Sequence, residues 1–116
     1  MSASMKALTL WQPWASCTAV AIKRVETRSW STDYRGPLAI HASAETAHLH
    51  LARLEPFRSV LLAAGLDPEA LPLGRILATC FLSAVLPIDA GLPQLSAQEL
   101  VLGDYSAGRF AWFLAE

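Results

Sequence analysis

Between Ala21 and Arg28 the chain reads Ala-Ile-Lys-Arg-Val-Glu-Thr-Arg, which spaces Lys23, Glu26 and Arg28 as K-x-x-E-x-R. Successive side chains of a strand point to opposite faces, so Glu26 and Arg28 share a face, and Lys23 joins them only from a turn or a bulge. If the three head groups converge, two cations and one anion leave a surplus positive charge. That surplus suits a phosphate, a carboxylate or a polarised carbonyl, with Glu26 free to accept from a base or ribose. Fanned out into water, the same residues are a ladder of surface charges worth very little.

The residues around this motif favour a cleft. From Met1 to Ser43 there are five basic residues against two acidic ones, whereas residues 44–116 hold four basic and eight acidic. The net charge of −1 argues against a strongly electrostatic nucleic-acid binder. The positive third of the chain, however, also carries Trp11, Trp14, Trp30 and Tyr34, and basic residues interleaved with aromatics serve a binder of phosphates and bases. Trp11 and Trp30 offer indoles for stacking, and Gln12 offers an amide for a base edge with Ser16 beside it. Trp14 reads equally well as core. Tyr34 and Arg35 either reach a phosphate from a turn or are merely solvated. His41 is a hydrogen-bonding group of the cleft, a general base or a satisfied buried histidine. His48 and His50, two apart on a helix, cannot share a face, which argues against zinc. No phosphate loop, dinucleotide fingerprint or nucleophile elbow is present, so neither a metal nor a cofactor is expected.

The elements that must position these residues follow from local pattern. Lys6 to Leu10 predicts a strand, and Pro13 opens a helix to about Ile22 with Trp14, Cys17, Thr18 and Ala21 along one side. Val25 to Trp30 predicts a strand, Asp33 to Pro37 a turn, and Leu38 to Ser43 a second strand with His41 opposite Leu38 and Ile40. Ala44 to Ala64 reads as helical with a kink or restart at Pro56, and Gly65 as its cap. Asp67 to Ala70 is a short capped turn. Arg75 to Leu86 has apolar residues at both parities, which predicts a central strand covered on both faces. A loop from Gly91 to Gly108 holds a helical stretch near Ser96 to Leu100, and Arg109 to Ala115 is a last strand.

A chain of 116 residues fits one domain, 1–116. The 53% hydrophobic content is high, yet no apolar run approaches the ~20 residues that span a bilayer, so a buried core and no membrane partner are expected. Met1 to Lys6 does not resemble a secretory signal, and Cys17 and Cys80 lie far apart in apolar surroundings. Both facts favour an intracellular, cytoplasmic protein with reduced core thiols.

Three blocks carry a family resemblance: Leu8-Thr-Leu-Trp-Gln-Pro-Trp-Ala-Ser16, Lys23-x-x-Glu26-x-Arg28-Ser-Trp30 and Tyr34-Arg-Gly-Pro-Leu-Ala-Ile-His41. Together they resemble an ASCH domain, whose motif is G-x-K-x-x-E-x-R, with Ala21 standing where the glycine is usual. Gly74 to Leu77 and Gly103 to Trp112 resemble later blocks, so the likeness covers nearly the whole chain. It implies an α+β fold, a small PUA-like β-barrel with flanking helices, and a cleft between the barrel and the first helix. It also implies binding of RNA or other single-stranded nucleic acid, or of a nucleotide or nucleoside.

Some relatives in the superfamily are small hydrolases, which gives a second reading: a metal-independent hydrolase of RNA or a modified nucleoside. Lys23 would then stabilise charge, with Glu26 or His41 moving the proton. Against this, Glu26 stands where amide-cleaving relatives have a threonine, and Thr79 to Ser83 lacks their later glutamate. A third reading is a protein-interaction adaptor. Related sequences often run on past Trp112 into another barrel segment, whereas this one stops at Glu116, which predicts an open sheet edge and self-association, such as a homodimer.

Overall fold

At 13 residues, the fourth strand would stretch about 40 Å if straight, the full 39 Å extent of the molecule. Its bends organise the fold. In a computed structural model describing residues 5–116, the elements in chain order are β1 (Lys6–Leu10), α1 (Trp14–Ala19), β2 (Val25–Arg28), β3 (Gly36–Ala42), α2 (Phe57–Ala63), β4 (Arg75–Pro87), α3 (Ala97–Val101) and β5 (Phe110–Ala115). Single 3-10 turns lie at Leu49–Arg53 and Ile88–Ala90. The start of the chain, Met1 to Ser4, read above as unlike a secretory signal, lies outside the described residues.

The five strands form one sheet in the order β1-β3-β4-β5-β2, parallel between β1 and β3 and antiparallel elsewhere. Register shifts fall between Ile40 and His41 on β3, and between Leu82 and Ala84 on β4. Such bulges bend a strand and increase its twist, and here they curl the sheet into a half-barrel. The expected small α+β PUA-like barrel with flanking helices is therefore the fold.

The bulges also correct the reading of β4. The strand is central, but it is not covered on both faces, because Ile76 and Phe81 are exposed. Leu82 and Val85 are both buried although three residues apart, an odd spacing that a regular strand would send to opposite faces. The bulge at Ser83 switches the parity, so apolar residues at both parities record a shift of register.

Two apolar clusters hold the fold. One fills the curl of the sheet with Leu8, Leu10, Leu38, Ile40, Leu82, Trp112 and Leu114. The other, Cys17, Ala52, Phe57, Leu61 and Leu102, lies under the helices. Helix α1 joins them, since Ala15 belongs to the first and Cys17 to the second. The predicted helix over 44–64 is broken: only Leu49–Arg53 and Phe57–Ala63 are helical, and Leu54 between them is extended at ψ 152°. Pro56 caps the second piece, as a proline without an N–H can. Among the described residues no helix is long and apolar enough to cross a membrane.

Candidate functional site

The route out of α1 sets the site. The Ile22 and Lys23 amides both donate to the Cys17 carbonyl at 3.0 Å, and Ala21 takes φ 60°, the left-handed conformation that glycine adopts without strain. The tight turn for which the family motif uses glycine is thus kept, with alanine bearing the strain. It delivers Lys23 beneath β2. There the ammonium donates to the Val25 carbonyl and, at 3.0 Å, to Glu26 Oε1, and its side chain is 0% exposed.

Glu26 is nearly as buried. Its Oε1 also accepts from the Thr27 amide at 3.1 Å, and its Oε2 lies 3.4 Å from Arg28 Nη1. The guanidinium of Arg28 is 26% exposed, donates at 3.5 Å to the Thr9 carbonyl, and sits 5.4 Å from the centre of the Trp30 ring. Through that contact Arg28 ties β2 to β1, the two edge strands of the curl. Behind β2, Arg109 Nη2 donates to the Thr27 carbonyl at 2.9 Å and the Asp104 amide to Thr27 Oγ1 at 3.3 Å.

Glu26, Thr27, Arg28, Asp104 and Arg109 form one wall of a cleft of about 640 Å³, within the size range of small-molecule and single-nucleotide sites. It lies between the end of β1, strand β2 and the loop after α3, with Trp14 of α1 and Phe57 of α2 at its base. Two indoles, each about half exposed, stand at it. Trp30 is held edge-on against Trp112, with ring centres 4.6 Å apart, while Trp112 Nε1 donates to the Trp30 carbonyl at 3.2 Å. Trp11 stacks on His48 at 4.5 Å, and His48 meets the edge of Trp14 at 5.8 Å. Trp14 is itself anchored by a 3.0 Å bond from Nε1 to the Leu102 carbonyl. Charge in the cleft is balanced, with Glu26 and Asp104 against Arg28 and Arg109.

Of the residues singled out in the sequence, Trp11, Trp14, Glu26, Arg28 and Trp30 meet at this cleft, whereas Gln12, Ser16, Lys23, Tyr34, Arg35 and His41 do not line it. Gln12 is fully buried: its Nε2 donates to Ser16 Oγ at 2.7 Å and to the Pro72 carbonyl at 2.8 Å, and its Oε1 accepts from the Ser16 amide at 3.0 Å. With its donors and acceptor occupied, Gln12 and its partner Ser16 hold the start of α1. Lys23 likewise presents no charge to the cleft. Tyr34 donates to the Pro37 carbonyl and packs on the barrel core, and Arg35 folds back on the carbonyls of Thr32 and Tyr34, both 2.8 Å away. His41 lies one residue behind the wall, its Nδ1 3.2 Å from the hydroxyl of the cleft residue Thr9. Of the three residues named for catalysis, Lys23 and Glu26 are thus paired, while His41 bonds to Thr9.

The sequence reading missed His48, Phe57, Asp104 and Arg109 as site residues. Only the last two had a signal, in the Gly103 to Trp112 block. It also passed over Glu99, which is buried and accepts the Arg24 and Val25 amides at 2.9 and 3.2 Å. Among the described residues no group of three or more His, Cys, Asp or Glu side chains could hold a metal ion.

A curled five-stranded sheet with short helices, opening at one end on an aromatic cleft of mixed charge, defines a small PUA-like module. The chain belongs to the ASCH domain family, whose family model matches residues 8–116. Over 38 residues it is 55% identical to activating signal cointegrator 1 of Homo sapiens, a stretch that covers 33% of this chain and 6% of that protein.

Proposed function

We propose that this domain binds RNA or another single-stranded nucleic acid through the cleft between β1 and β2. Arg28 meets a phosphate, Trp11 and Trp30 stack bases, and the Glu26 carboxylate accepts from a base or ribose. The observation that carries this reading is the meeting of two half-exposed indoles and a partly exposed, loosely held guanidinium at one cleft. Stacking tolerates any base because every base has a π-face, and a guanidinium fork matches phosphate geometry. Membership of a family that is RNA-binding-like in general supports it. The balanced charge of the cleft favours engagement of one or two nucleotides over tracking of a long backbone.

Titration of tryptophan fluorescence with short RNA and DNA oligonucleotides tests the reading. Trp11→Ala and Trp30→Ala are each expected to weaken binding about 5- to 150-fold, which corresponds to about 1–3 kcal/mol per stacked base. If both variants and Arg28→Gln bind as tightly as the parent, the cleft is not the site.

A further inference from the structure

Strand β2 pairs with β5 on one side and, among the described residues, has no strand on the other. The Leu114 amide donates to the Arg24 carbonyl at 2.9 Å, which turns the backbone groups of Arg24, Glu26 and Arg28 toward β5. Val25 and Thr27 must then point their N–H and C=O groups outward. All four outward groups meet charged side chains. The Val25 amide donates to Glu99 and the Thr27 amide to Glu26 at 3.1 Å, while the Val25 carbonyl accepts from Lys23 and the Thr27 carbonyl from Arg109 at 2.9 Å. Where a neighbouring strand would supply partners, two acids and two bases supply them.

We infer that Lys23 is a positioning residue which, with Glu26 Oε1, closes this strand edge, and that Arg28 alone of the two cations in the K-x-x-E-x-R motif faces the ligand. An ammonium with no exposure and two partners has no path to a phosphate. Arg28 differs in both respects, since its contacts to Glu26 and Thr9 are long and much of its fork is unspent. Lys23 acts through Glu26. By holding Oε1, together with the Thr27 amide, it keeps the carboxylate from turning wholly onto Arg28 and drawing the guanidinium out of the cleft. The edge closure also denies β2 to an incoming strand.

The role of Arg28 rests on the binding reading above, whereas the edge closure does not, so two measurements are made. Amide exchange of the free protein is followed by NMR. The outward amides of Val25 and Thr27 are expected to exchange as slowly as the ladder amides of Glu26 and Arg28. In Lys23→Met, the Thr27 amide is expected to speed up by roughly tenfold or more while the ladder amides keep their protection. Outward amides that exchange in the parent at the rate of open coil overturn the edge closure.

The second measurement is the salt dependence of RNA oligonucleotide affinity. Arg28→Gln should lower the slope of log K against log salt by about 0.7, the value for one phosphate on a single strand, and Lys23→Met should weaken binding with the slope unchanged. A slope that falls equally in Lys23→Met shows that Lys23 meets phosphate and overturns the division of roles. A parent that binds no RNA removes the binding reading, while the exchange rates still decide the edge.

Discussion

Glu99 is where a single substitution should cost the fold most for the least change in packing. It is buried on α3, and its two carboxylate oxygens accept the Arg24 and Val25 amides at 2.9 and 3.2 Å, which clamps the start of β2 to the far end of the chain. Glu99→Ala leaves both amides without a partner. The Val25 amide is buried, and orphaning it costs about 1–3 kcal/mol. The Arg24 amide is only partly buried, so water replaces some of what is lost and the cost there is about 1 kcal/mol. The higher helix propensity of alanine returns a few tenths of a kcal/mol, and the Ser96 hydroxyl still caps the Glu99 position through the backbone. The net loss is about 2–4 kcal/mol, a large share of the roughly 5–15 kcal/mol that holds a domain together. Urea unfolding followed by circular dichroism should place the midpoint about 1–2 M below the parent with the same slope, and Glu99→Gln, which keeps one acceptor oxygen, about halfway between. A midpoint for Glu99→Ala within about 0.3 M of the parent would refute the clamp.

Two further expectations follow from local geometry. Ala21 at φ 60° carries strain that glycine lacks, so Ala21→Gly should stabilise the protein by about 1 kcal/mol and raise the thermal midpoint by roughly 3–6 °C, measured by scanning calorimetry. A lowered midpoint would show that the turn is not under strain. Burial lifts the Cys17 thiol to about 11, against the opposing pull of the Lys23 charge, from the 9.0 of a free thiol. The unfolded chain thus releases its proton first, so this contribution to stability is complete below pH 9 and is lost as pH rises toward 11. Urea midpoints across that range should fall more steeply for the parent than for Cys17→Ala, and equal slopes would refute the assignment.

What the sequence determined by itself lay in short-range pattern. β1 runs over Lys6–Leu10 as its alternation predicts, and β5 and most of β4 follow from runs of apolar residues, because side-chain alternation is a property of the strand itself. The gathering of arginine and tryptophan between Trp11 and Trp30 was equally legible, since Glu26, Arg28 and Trp30 share a parity on one strand and its extension.

Tertiary structure decided which polar residues the cleft could use. Gln12 is removed from it by a carbonyl 60 positions away at Pro72, and β2 is held by Arg109, 82 positions from Thr27. His48 sits in the aromatic stack just ahead of the 3-10 turn Leu49–Arg53, in a stretch that the sequence pattern assigns to one helix over 44–64. Even the apolar pattern of β4 was ambiguous until the bulge at Ser83 explained its change of parity. A sequence spaces side chains along one element, but whether a charged group is spent on the backbone or left for a ligand depends on what other elements bring within hydrogen-bonding distance. In Lys23 that distance is 3.0 Å to Glu26, and it turned an apparent ligand group into part of the strand's own edge.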